Sequence, residues 1–114
     1  GVYHAQMGYF YFRRLGNRLL IGGGRHLAKE AETIADFGIN PQIKAALKKF
    51  TQQYLGLKAD DLFTEEWSGI LGVGSQKEPI VQKLGEGLYS AFRLGGMGVA
   101  IGARTAYKAV ELIY

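Results

Sequence analysis

The alternation of apolar and polar positions opens the chain with a hairpin. Residues 9–15, YFYFRRL, alternate so that Tyr9, Tyr11 and Arg13 fall on one face of a strand and Phe10, Phe12 and Arg14 on the other. Gly16-Asn17 supplies the turn and residues 18–21, RLLI, a short apolar return. Both faces carry aromatic rings, so both are expected to be covered. Residues 26–39, HLAKEAETIADFGI, mix acids with alanine and keep no clean period. They predict a long surface connection with room for a short helical turn. Asn40-Pro41 then opens a helix, with asparagine as N-cap and proline at the first helical position, where a missing N–H costs nothing. Ile43, Leu47, Phe50 and Tyr54 recur at helical spacing, Lys44, Lys48 and Lys49 are expected to face water, and Gly56 ends the helix. From Asp61 the run LFTEEWSGILGVGS reads as a long strand, with Gly69, Gly72 and Gly74 marking a bulge or a close neighbour. PIVQKL and LYSAFRL are two more strands around a turn flanked by Gly85 and Gly87, and a helix from about Val99 closes the chain. No internal repeat is present. The predicted fold class is α+β: a mostly antiparallel sheet with one internal helix and a C-terminal helix.

Composition narrows the functional classes. The chain has 114 residues, 47% of them hydrophobic and 21% charged, the make-up of one small globular domain or a piece of one. No run of about eighteen apolar residues lacks a charge, and no basic segment leads into an apolar one with a small-residue cleavage site, so no membrane association is expected. The absence of cysteine excludes a disulfide framework and thiolate catalysis within these residues, and fits a reducing compartment; a cytoplasmic location is expected. The net charge of +4 is scattered, with only the pairs Arg13-Arg14 and Lys48-Lys49 adjacent, so nucleic-acid binding is not expected. Seventeen glycines against two prolines, clustered beside apolar runs, point to tight turns and close backbone approach.

The candidate chemistry lies near the end, in RLGGMGVAIG. Gly96, Gly98 and Gly102 spell G-x-G-x-x-x-G, close to a dinucleotide fingerprint. That fingerprint works inside a βαβ unit of about thirty residues, with an acidic residue about twenty positions on to hold the ribose. Only twelve residues follow Gly102, all of them in the closing helix. A free-standing nucleotide site is therefore not expected here. Gly95, Gly96 and Gly98 nevertheless allow backbone to approach a flat ligand, and the first N–H groups of the helix carry partial positive charge suited to an anionic oxygen. Alternatively, Gly98, Gly102, Ala106 and Val110, spaced by four, form a small-residue stripe for close helix packing. One helix can do both.

Other residues give less. His4 and His26 have no second ligand at metal spacing, so no metal site is expected. Glu65-Glu66 and Asp60-Asp61 are adjacent, which in a strand sends the carboxylates to opposite faces, and they read as solvated edges. Ser68, Ser75 and Ser90 lack a nucleophile-elbow context. Trp67 reads as a core or pocket residue.

Two long stretches, GYFYFRRLGNRLLIGGGRHL and EEWSGILGVGSQKEPIVQKLGEGLYSAFRLGGMGVAIGARTAYKAVELI, resemble the C-terminal portion of the FAD-dependent oxidoreductases related to D-amino acid oxidase, glycine oxidase and sarcosine oxidase. Trp67-Ser68-Gly69, Pro79-Ile80, Gly87-Leu88-Tyr89 and Gly96-Met97-Gly98 match that family's series in order and spacing. The resemblance implies that Gly95, Gly96, Met97, Gly98, Val99 and Ala100 lie against the pyrimidine side of a flavin. There the helix start would stabilise negative charge as the flavin accepts a hydride from a small amine or hydroxy substrate. It also implies a fragment of a two-domain flavoprotein: residues 1–114 as the substrate-domain portion plus the closing loop and helix, and a separate N-terminal FAD-binding domain as partner. Such a fragment is expected to be inactive and to bind no FAD by itself.

The sequence departs from the family where substrate carboxylates are held. Ile70, Leu71 and Gly72 stand where several members place an arginine after the Trp-x-Gly segment, and Leu94, Gly95 and Gly96 stand where a His and Arg precede the final loop. Arg13, Arg25 and Arg93 are candidates for a substitute, beside their plainer role as surface or structural arginines. With Tyr11 and Trp67, Arg13 and Arg93 make the expected substrate pocket. The other reading these residues leave open is a stand-alone α+β interaction domain that binds a protein partner through its aromatic hairpin. Catalytic residues and oligomeric state are not legible.

Overall fold

In the computed structural model, which describes residues 1–58 and 63–114, the hairpin forms as part of a three-stranded sheet. β1 (Val2–Ala5), β2 (Phe10–Leu15) and β3 (Arg18–Gly23) make an antiparallel sheet in that order. Leu15 lies opposite Arg18, leaving Gly16-Asn17 as a two-residue turn. β1 has no alternating pattern to announce it; Tyr3 lies opposite Phe12 and stacks on its ring at 5.3 Å.

Among the described residues, one face of this sheet is covered. Phe10 and Phe12 turn toward α1 (Pro41–Leu55), where Phe50 stacks on Phe10 at 4.8 Å and meets Phe12 at 5.9 Å. Phe10 and Phe50 are 3% and 4% exposed, and burying each ring contributes roughly 1.5–3 kcal/mol. Tyr9 and Tyr11, on the opposite face, stay nearly half exposed. The expectation of two covered faces fails because the first unit's helix packs on one side alone.

α1 begins and ends as its caps dictate. The Asn40 side chain accepts from Gln42 N at 2.9 Å and Ile43 N at 3.3 Å, Pro41 fills the first position, and Gly56 closes the last turn on the Thr51 carbonyl. Two expectations about its faces change. Lys44 is half-buried and donates to Glu66 at 2.8 Å, and Lys48 is half-buried with its ammonium over the Phe63 ring, so only Lys49 lies open to water. Tyr54 stacks on Phe50 yet remains largely exposed. Ahead of the helix, residues 26–39 form the expected surface connection, opened by a short 3-10 helix, Arg25–Ala28.

The chain divides into two compact units, Gly1–Ser68 and Gly69–Tyr114. The predicted long strand from Asp61 straddles their boundary and does not form: Asp60, Asp61 and Leu62 lie outside the described residues, and residues 63–79 carry no strand. Glycines at 69, 72 and 74 weaken extended structure. Here the segment's edge pairs with no strand, and its backbone is tied instead at Gly72, whose carbonyl accepts from Gly95 N at 3.1 Å. Glu65 and Glu66 do diverge as expected, but to ion partners, Arg18 and Lys44.

In the second unit β4 (Ile80–Gly85) and β5 (Leu88–Phe92) form an antiparallel pair, and α2 (Gly98–Glu111) packs on both. Gly98, Ile101, Gly102, Thr105 and Ala109 turn inward; Ala106 and Val110 do not. The small-residue stripe therefore splits. A spacing of four overshoots the 3.6-residue turn by about 40° per step, so by Val110 the row has rotated off the packed face. The outward side, Val99, Ala103, Ala106, Tyr107 and Val110, carries no charge; Arg104, Lys108 and Glu111 form a narrow polar line beside it. Among the described residues, no helix is long and apolar enough to cross a membrane.

Candidate functional site

The loop from β5 into α2 compresses three left-handed residues into four positions. Arg93, Gly95 and Gly96 have φ of 63°, 58° and 81°, a conformation that costs a non-glycine residue about 1–2 kcal/mol. Met97 N donates to the Leu94 carbonyl at 2.9 Å, and the Met97 carbonyl accepts from Ala100 N and Ile101 N at 2.9 and 3.0 Å. Gly98 N and Val99 N donate to no backbone oxygen among the described residues, and no side chain caps the helix. These two amides, with the positive end of the α2 dipole, form a donor pair for an anionic oxygen.

The glycines of this loop have different reasons. A Cβ at Gly95 would meet nothing within 4 Å, and one at Gly96 only Leu71 at 3.9 Å, so both are glycine for their backbone angle and leave open space beside them. A Cβ at Gly98 would press on Leu94 Cδ1 at 3.2 Å. Gly98 is thus fixed by packing within the unit. Beside the loop lies a cleft of about 360 Å³ between β4 and α2, with an apolar floor of Pro79, Val81 and Ile101. Met97 lines it together with Glu78 and the cations Lys77, Arg104 and Lys108.

The pocket candidates fall in both units. Tyr11 and Arg13 share the uncovered face of the first sheet; Tyr11 lies opposite His4, ring centroids 6.5 Å apart, and Arg13 lies between Val2 and Leu20. Trp67 is 69% exposed, which removes the core reading. Arg25, in the 3-10 helix, is exposed. His26 packs on Tyr9 at 4.0 Å and edge-on to Phe10 at 5.8 Å, as an aromatic spacer whose buried Nδ1 has no hydrogen-bond partner among the described residues.

Arg93 belongs to the second unit, and its guanidinium is engaged there: Nε and Nη2 both donate to the Glu78 carbonyl, at 3.0 and 2.6 Å. A Cβ at Gly74 would come within 3.0 Å of Arg93 Cδ, and one at Gly72 within 3.3 Å of Arg93 Cα. Glu78, Gly72 and Gly74 thus enclose this arginine, and sequence reasoning missed them in that role. A backbone carbonyl acting as the acceptor leaves no residue-type signal.

Left-handed glycines, open space beside them and two unpaired amides at a helix start fit the pyrimidine edge of a flavin, which presents a flat ring with carbonyl oxygens. The family model described as FAD dependent oxidoreductase matches residues 2–112. No curated protein and no solved structure matches the chain. With nearly the whole length covered by that match, the chain belongs to the FAD-dependent oxidoreductase family.

Proposed function

We propose that these residues are the C-terminal, substrate-domain portion of an enzyme that takes a hydride from the C–N or C–O bond of a small amine or hydroxy substrate. FAD, when bound, supplies the two-electron acceptor. Gly95 and Gly96 leave the backbone open to the ring, and the Gly98 and Val99 amides hold the negative charge that builds on the pyrimidine side. Met97 and Ala100 complete the contact. The observation that carries the reading is the unpaired amide pair behind the two left-handed glycines.

On the substrate side we assign the open sheet face with Tyr11 and Arg13, and Trp67 as an exposed aromatic. Arg13 is the better carboxylate partner, since the Arg93 fork is already engaged by Glu78. The adenosine and pyrophosphate belong, in this reading, to a dinucleotide-binding domain outside these 114 residues, and the uncharged outward side of α2 is a surface suited to covering by it. A cytoplasmic location accompanies the reading. The fragment by itself is expected to be colourless and inactive. The test is isolation of the protein from its source cells: a longer polypeptide carrying about one FAD, bleached by an amine or hydroxy acid, is expected. A natural product near 12.5 kDa without flavin would overturn it.

A further inference from the structure

Arg93 is the one non-glycine residue of the loop with a left-handed backbone, and its side chain is enclosed by the segment before β4. Two of its donors converge on a single carbonyl, that of Glu78, while Gly72 and Gly74 lack the Cβ atoms that would crowd its Cα at 3.3 Å and its Cδ and Nη1 at 3.0 and 3.1 Å. The same segment returns a hydrogen bond to the loop, from Gly95 N to the Gly72 carbonyl. Residues 72–78 and 93–95 are therefore joined at two points, one through the Arg93 side chain and one at Gly95 N. A guanidinium is suited to this role because its rigid fork reaches one acceptor with two N–H groups; an ammonium at the same place makes a single contact without fixed direction.

We propose that Arg93 is a positioning residue: by holding the Glu78 carbonyl it fixes the orientation of Gly95, Gly96 and the first amides of α2, and through them the charge stabilisation at the flavin. This rests on the functional reading above. It explains the spacing of Gly72 and Gly74, which accommodate the arginine, and it assigns Arg93 to the cofactor loop.

The experiment uses the full natural chain with Arg93→Lys and Gly74→Ala, the second crowding the Arg93 side chain without altering its chemistry. Gly69→Ala is the control, since a Cβ there meets nothing within 4 Å. Hydrogen exchange of the peptide spanning Gly95 is measured without flavin, and the midpoint potential and visible spectrum of bound flavin after loading. Arg93→Lys and Gly74→Ala are expected to speed exchange about fivefold to tenfold and to move the potential in the same direction, with Gly69→Ala like wild type. Wild-type exchange in both variants would overturn the proposal, as would faster exchange with an unchanged potential and spectrum, which marks Arg93 as structural only. If the wild-type protein takes up no flavin, the functional reading fails and Arg93's role toward the flavin with it, while the exchange data still report the clamp separately.

Discussion

The ring of Tyr11 lies across Gly22, so close that a Cβ on Gly22 would stand 2.6 Å from the ring's Cε2. The neighbouring Gly23 is crowded differently: its Cβ would stand 2.0 Å from the backbone oxygen of Tyr9, at a φ of 109°. A half-exposed ring can swing aside, whereas a backbone carbonyl held by Gly24 N at 2.9 Å cannot. Gly22→Ala is therefore expected to change stability by less than about 1 kcal/mol, and Gly23→Ala to cost about 3 kcal/mol or more. Urea unfolding of the two variants measures this. If Tyr11 contacts substrate, Gly22→Ala also raises KM while leaving flavin content unchanged.

The first unit rests its core on few rings, so truncation there is severe. Phe50→Ala removes the partner of both Phe10 and Phe12 and is expected to cost about 3–5 kcal/mol. Tyr54→Ala, one turn later on the exposed flank of the same ring cluster, should cost about 1 kcal/mol or less. Equal losses by thermal or urea unfolding would contradict the core as described.

The two loop glycines should separate binding from folding. Gly96→Val places a β-branched residue at a φ of 81°, on the side left open, and is expected to empty the flavin site with about 1–2 kcal/mol lost in stability. Gly98→Val drives into Leu94 and should destabilise the protein by about 1–3 kcal/mol through overpacking, flavin loss following from unfolding. Flavin absorbance per mole of folded protein distinguishes the two.

Met97 caps the start of α2 and lines the cleft that also holds Glu78 and the cations Lys77, Arg104 and Lys108. In the flavin-bound enzyme, Met97→Glu should oppose charge arriving on the cofactor and lower its two-electron potential by about 20 mV, equivalent to about 1 kcal/mol. The cleft's cations offset part of that shift, so Arg104→Gln added to Met97→Glu should enlarge it. Lys108 belongs to the same cleft and is no neutral control. Gln82 is better, leaving β4 on the face opposite Val81. Gln82→Glu should shift the potential less than Met97→Glu under matched ionic strength.

What the sequence could disclose followed the range of the interactions responsible. The Asn40-Pro41 start, the Gly56 stop, the Gly16-Asn17 turn and the glycine loop ahead of α2 are set by residues a few positions apart, and all four were legible. Which face of the first sheet is covered depends on where α1 lies, and the alternating aromatics of residues 9–12 contain no information on that. The stretch 63–75 shows the same limit: its apolar content suggests a strand, and no partner edge waits for it among the described residues. Arg93 was hardest. Its engagement rests on the Glu78 carbonyl fifteen residues away, and nothing in the letters of either segment distinguishes that arginine from a substrate-binding one.

The closing helix has a further consequence, for mutational drift. Its inward side is fixed by β4 and β5, and its outward side, from Val99 through Tyr107 to Val110, bears no charge. If that outward side is covered by a dinucleotide-binding domain, as proposed, neutral exchange of residues is concentrated on the line of Arg104, Lys108 and Glu111. In a saturation scan of α2 those three positions should accept most polar residues, and a tolerance map should show one permissive stripe along an otherwise restrictive cylinder.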